Sequence, residues 1–155
     1  MTAEECVARF AAAVVEREFE EAQALLAPWV VSVLPEGGLK RIVRRARGDN
    51  PPAAEFEISS LPYNTPASMR ESAAEYTDAG QERSLTTWDG GGGDFGPPSF
   101  SIPAEITDDD FRGVWQIQFQ PDEDLEAEVD YSYALYVAVV ELGAGLVIGY
   151  LEPVD

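Results

Sequence analysis

Hydrophobic positions recur at helical spacing in the first third of the chain and alternate in the last third. Val7, Phe10, Ala11, Val14 and Val15 fall three and four apart after Thr2 and Glu5, which form a T-x-x-E capping box. This predicts a first helix over about 3–17. Beyond Glu18, the residues Phe19, Ala22, Leu25, Leu26 and Trp29 share one face of a second, shorter helix, which Pro28 kinks or stops near its end. Pro35, Gly37 and Gly38 break the chain before LKRIVRRAR, where Leu39, Ile42, Val43 and Ala46 form an apolar stripe under a cationic outer face. Gly48 is placed to end this helix, and a loop follows through Pro52.

From Ala54 the period changes to two. Phe56 and Ile58 alternate with Glu55 and Glu57, the pattern of a half-buried strand ending near Ser60. Thr65 and Pro66 read as N-cap and first residue of a helix over 66–79 closed by Gly80, and RSLTTW at 83–88 reads as a short strand. Residues 89–98 form a flexible Gly/Pro-rich loop. Its four consecutive glycines invite a phosphate-loop reading, but no G-K-[ST] follows, so a mobile hairpin or flap is expected instead. Thr107 caps one helical turn, and VWQIQFQ then sets Trp115, Ile117 and Phe119 against Gln116 and Gln118. YSYALYVAVVE is apolar on both faces, as a central strand covered on each side should be. A Gly143-Ala144-Gly145 turn leads to a last strand, LVIGYLEP. The second half is thus an antiparallel meander, and with no internal repeat or linker residues 1–155 read as one α+β domain.

Composition narrows the chemistry. At 155 residues, 45% apolar and 25% charged, the chain fits a globular domain rather than a disordered or fibrous one. It lacks a run of about 18 apolar residues for a membrane span. Glu4, Glu5 and Arg9 stand where a signal peptide needs a positive start and an apolar stretch, so a cytoplasmic location is expected. There is no histidine, and Cys6 is the sole cysteine. Disulfide frameworks, intramolecular cysteine zinc clusters, Ser-His-Asp triads and Cys-His pairs are therefore excluded, and neither a cofactor nor a metal is expected.

Charge adds the strongest compositional fact. The 29 acidic residues against 10 basic ones give a net charge of −19. Such a field repels nucleic acid and anionic membranes and speeds encounter with a basic protein partner, while also serving solubility or adaptation to salt. Five of the ten cations, Lys40, Arg41, Arg44, Arg45 and Arg47, lie within eight positions on the basic helix. That face is suited to a phosphate, a carboxylate ligand or an acidic partner, or to answering the acidic surface of its own domain or of a second subunit. Asp122, Glu123, Asp124, Glu126, Glu128 and Asp130 form the opposite feature. An EF-hand loop from Asp122 would require glycine and glutamate where Ala127 and Tyr133 stand, so these acids read as a charged strand edge or a docking strip for a basic protein.

The capped first helix, the F-E-E-A-x-A-L-L-A-P-W motif within VEREFEEAQALLAPWV and the late sheet together resemble the nuclear transport factor 2-like (cystatin-like, cone-shaped) superfamily. The resemblance implies N-terminal helices packed in the concavity of a strongly bent antiparallel sheet. It further implies a conical pocket and a homodimer formed through the sheet's outer face. Members include steroid isomerases, dehydratases and polyketide cyclases as well as non-catalytic binding and scaffold domains, so the fold does not choose an activity. Phe10, Trp29, Trp115, Tyr131 and Tyr133 are the candidate lining of such a pocket, with Tyr131 and Tyr133 on one strand face and Tyr136 on the other.

Three functions follow as expectations. One is a non-catalytic domain that binds a small apolar ligand or serves as a scaffold. Another is an acidic module, such as an immunity protein or inhibitor, that binds a cationic partner. The third is a histidine-free isomerase or cyclase, in which a desolvated carboxylate would act as base and a tyrosine as oxyanion donor on a hydrophobic ketone.

Overall fold

A computed structural model of the chain describes residues 1–32, 34, 37–47, 52–62, 65, 106–121, 133–143 and 145–154. The helix expected over 66–79, the strand over 83–88, the loop over 89–98, the acidic strip from Asp122 to Asp130, and Tyr131 lie outside the described residues. Within them the order is α1 (Ala3–Val15), α2 (Phe19–Ala24), α3 (Pro28–Val31), α4 (Gly38–Arg47), β1 (Glu55–Ser60), β2 (Phe111–Gln120), β3 (Tyr133–Leu142) and β4 (Gly145–Val154). The strands form a four-stranded antiparallel meander in the order β1-β2-β3-β4, with the N-terminal helices packed against it.

The capping box forms as its sequence dictates. Thr2 Oγ1 accepts the Glu5 N–H at 3.1 Å, and the Glu5 carboxylate accepts the Thr2 N–H at 3.4 Å. At its far end α1 stops two residues earlier than its periodicity suggests, because Arg17 turns left-handed at φ 62°. An L-residue with a side chain adopts that conformation at a cost of roughly 1–2 kcal/mol. The second predicted helix divides in two. Pro28 opens α3, and Ala27 before it is extended at ψ 153°, the geometry that the proline ring imposes on its predecessor. The freed backbone bonds to the sheet instead: the Ala27 N–H donates to the Ile148 carbonyl and the Ile148 N–H to the Leu25 carbonyl, both at 2.8 Å.

Strand register sorts the side chains by face. Phe56 pairs with Phe119 and Ile58 with Ile117, while Phe119, Ile117 and Trp115 oppose Tyr133, Leu135 and Val137, and Val137 opposes Leu151. These residues share the face against which α1 packs, and with Val7, Phe10, Ala11 and Val14 they belong to one hydrophobic cluster. The opposite face carries Glu55, Glu57 and Ser59 on β1 and Gln116 and Gln118 on β2, then turns apolar at Ala138 and Tyr150, both buried. β3 is accordingly buried on both faces, as its unbroken apolar run predicts.

The expected cone is corrected here. The sheet is not strongly curled. Bending a sheet around helices requires bulges or glycine kinks repeated along neighbouring strands. Both irregularities of this sheet lie level with Val139: Arg112 is extra in β2 and Gly149 in β4. From there to the other end, β1, β2 and β3 pair in unbroken register. The bulged Arg112 turns its guanidinium to the Glu141 carboxylate across the strands. The turn before β2 also differs from expectation. Asp110 closes it: its Oδ2 accepts from both the N–H and the hydroxyl of Thr107 at 3.2 Å, so the carboxylate takes the capping role assigned to the threonine.

Two outcomes follow. A Cβ at Gly149 would stand 2.9 Å from a Val140 methyl and 3.1 Å from the Trp29 ring, whose Nε1 donates to the Gly149 carbonyl at 2.9 Å. Gly149→Ala should lower unfolding free energy by about 1–3 kcal/mol in urea titrations, and no loss would mean that Trp29 moves freely. Cys6 is buried, and desolvation pushes its thiol above the ordinary 9.0, outweighing the nearby Arg9 charge. It should resist a disulfide reagent at pH 8 in the native protein and react fully in guanidinium.

Candidate functional site

α4 is oriented by its own stripe. Leu39, Ile42 and Val43 are buried, which leaves Lys40 and Arg44 exposed and Arg47 half-buried. Its start is set by Gly37 and Gly38, both left-handed, at φ 93° and 66°. A Cβ on Gly38 would meet the Gln23 side-chain oxygen at 2.8 Å, and that same oxygen accepts the Leu39 N–H at 3.5 Å. The side chain of α2 thus seats the first turn of α4.

In this setting the ends of α1 and α4 open on a common cleft of about 450 Å³ beside the start of β3. Val14, Val15, Phe19, Val43, Ala53 and Tyr133 supply apolar surface, and Arg17, Lys40, Arg44 and Arg47 supply charge. Four of the ten cations of the chain therefore meet at one place, and no carboxylate lines it among the described residues. The Nε of Arg47 is buried without a hydrogen-bond partner among the described residues. Leaving a buried donor unsatisfied costs on the order of 1–3 kcal/mol, and more for a charged group.

A helix dipole works against this charge, and magnitudes decide the sign. α1 presents its C-terminal end, equivalent to about −0.5 charge, while α4 lines the cleft along its length from Lys40 to Arg47. Four full positive charges outweigh one such end, so the lining is net positive.

Tyr133 is fixed from below. It is the cross-strand partner of Phe119 and stacks on its ring at a centroid distance of 5.0 Å and an interplanar angle of 21°. Burial pushes its hydroxyl above the ordinary 10.0, and the opposing charge of Arg47 recovers only part of that shift. The phenol therefore stays protonated and can donate a hydrogen bond at neutral pH.

The remaining candidates take other places. Phe10 is fully buried in the core, Trp29 is tied to the β4 backbone, and Trp115 lays its ring over Gly113 on its own strand. None of the three lines this cleft. Tyr136 sits on the opposite sheet face, half-buried, as strand alternation predicts. Arg41 is not among the residues that line the cleft, and the Arg45 side chain falls outside the described residues. Sequence reasoning named only Lys40, Arg44, Arg47 and Tyr133 of the lining, and Arg17 was the one cation it missed. One signal was legible: an arginine occupies the position just past a helix end where glycine is usual.

Neither family models, curated proteins nor solved structures match this chain.

Elsewhere, Glu16, Glu18 and Glu21 line a surface groove with Arg9. The Glu18 carboxyl is raised first by its hydrogen bond with Glu21 and by repulsion from the same group. No set of side chains suited to a metal ion occurs among the described residues. No helix among them is long and apolar enough to cross a membrane.

The Tyr133 shift has a pH signature. A group whose folded pKa lies above its unfolded value stabilises the fold below the unfolded pKa and loses that contribution as pH rises through the folded one. Stability should fall as pH climbs past 10.0, the ordinary tyrosine value. Tyr133→Phe should flatten part of that fall in urea titrations at pH 9 and pH 11, and equal slopes would show the hydroxyl to be solvated.

Proposed function

We propose that this protein is a non-catalytic small-ligand-binding domain whose cleft between α1, α4 and β3 takes an organic anion with an apolar body. The observation that carries the reading is the meeting of Arg17, Lys40, Arg44 and Arg47 above a floor of Val14, Val43, Phe19 and Tyr133 in a chain of net charge −19. Random placement of cations on so acidic a surface would leave them among carboxylates. Here they stand together, with no carboxylate beside them among the described lining residues. The volume lies within the range of small-molecule sites, roughly 300–1,000 Å³.

The lining favours binding over turnover. An isomerase mechanism needs a carboxylate base within reach of a tyrosine donor. The described lining offers the tyrosine and the cations but no base. A homodimer and a basic protein partner remain compatible with this reading, because neither requires this cleft.

The test is calorimetric titration at low salt with three probes of similar body: phenol, benzoate and phenyl phosphate. The anions should bind with one-to-one saturation and phenol should not, and affinity should fall with added salt. Replacing Arg44 and Arg47 together by glutamine should weaken anion binding by about tenfold or more, the scale of one or two charge-assisted hydrogen bonds. Equal binding of phenol, or full affinity in the folded double variant, would overturn the proposal.

A further inference from the structure

At Arg17 the backbone and the side chain have opposite requirements. α1 ends in a Schellman turn: the Glu18 N–H returns to the Ala13 carbonyl at 2.8 Å and the Arg17 N–H to the Val14 carbonyl at 3.1 Å. That turn demands a left-handed residue after the Glu16 cap, and Arg17 fills it at φ 62°. It is the one non-glycine residue with positive φ among the described residues. Glycine would adopt the same conformation without strain.

The side chain gives the fold nothing visible in exchange. Arg17 is exposed, and its guanidinium makes no hydrogen bond or ion pair among the described residues. A left-handed turn at this point does, however, carry the residue to the cleft, where it joins cations of a different helix. Residues held in sparsely populated backbone conformations cluster at binding sites.

We infer that Arg17 is an anion-binding residue, held in a strained backbone so that cations from two elements converge on a dianionic headgroup of the phosphate-monoester class. This inference rests on the reading of the cleft as an organic-anion site. A carboxylate carries one charge and is satisfied by a single bidentate guanidinium. It would leave the other cations repelling one another across the cleft. A phosphate monoester carries nearly two charges at neutral pH and three terminal oxygens, enough to take donors from α1 and α4 at once. Tyr133 and the other apolar lining residues then face the organic part of the ester.

The experiment compares phenyl phosphate with benzoate by calorimetry at pH 8 on the wild-type chain, Arg17→Gly and Arg17→Lys, with melting temperatures for each. Wild type should bind phenyl phosphate at least about tenfold more tightly than benzoate. Arg17→Gly should melt about 2–4 °C higher, because the strain is gone. It should also bind phenyl phosphate about five- to tenfold more weakly, while its benzoate affinity changes less. Arg17→Lys should keep most of the affinity and melt as wild type. Binding of neither anion by wild type overturns the reading of the cleft itself. Anion binding with no preference for phenyl phosphate, or unaltered by Arg17→Gly, overturns this inference alone. So does an Arg17→Gly variant that melts lower, which would assign the side chain to the fold.

Discussion

The seam between α1 and the inner face of the sheet governs the rest of the molecule. α1 touches all four strands, and Cys6, Val7, Phe10 and Ala11 are fully buried along that seam. On the facing side Ile117, Phe119, Leu135 and Val137 are equally dry. Each large side chain removed from water contributes roughly 1.5–3 kcal/mol, so the seam outweighs any single cap or turn. Its stripe allows α1 one rotational setting. The left-handed Arg17 ends the helix, and the end of the helix decides where the chain reverses.

The cleft is a consequence of that reversal. Because α1 stops at Val15 and the chain turns left-handed at Arg17, the C-terminal end of α1 lies beside the C-terminal half of α4 and the first residue of β3. α4 is held in place independently, by its buried stripe and by Gln23 at its first turn. Two helices secured by separate apolar contacts can bring like charges together, since the core supplies the free energy that the repulsion costs. On a strongly acidic chain the cleft then has the opposite sign to its surroundings. Over distances beyond about 8–10 Å at physiological salt that surrounding field is largely screened, so a bound anion responds chiefly to the local cations.

Most of the described fold was legible in the sequence. The T-x-x-E box and the three-four spacing placed α1, the LKRIVRRAR stripe placed α4, and strict alternation placed β1 and β2. These signals are local: a helix or strand with one buried face repeats its pattern at the period of its own backbone. Where sequence reading and structure differ, long-range partners decide. Pro28 marked the break in the second helix, but only the structure shows that the freed backbone of Leu25 and Ala27 bonds to Ile148 of β4, more than a hundred positions away. The sheet is not strongly curled, and its curvature depends on where the irregularities of several strands fall relative to one another, which no single strand's pattern reveals.

The candidate site divides along the same line. The sequence by itself determined that the chemistry lacks histidine and has one cysteine, and that half of the cations crowd onto one amphipathic helix. It also placed Tyr133 on a central strand. Only the tertiary structure decided that Arg44 and Arg47 face Tyr133 and the end of α1, that Arg17 joins them from a left-handed turn, and that Phe10, Trp29 and Trp115 serve packing away from this cleft. The physical reason is that periodicity records which face of an element is buried. The groups that meet where two elements end depend on how those buried faces pack together.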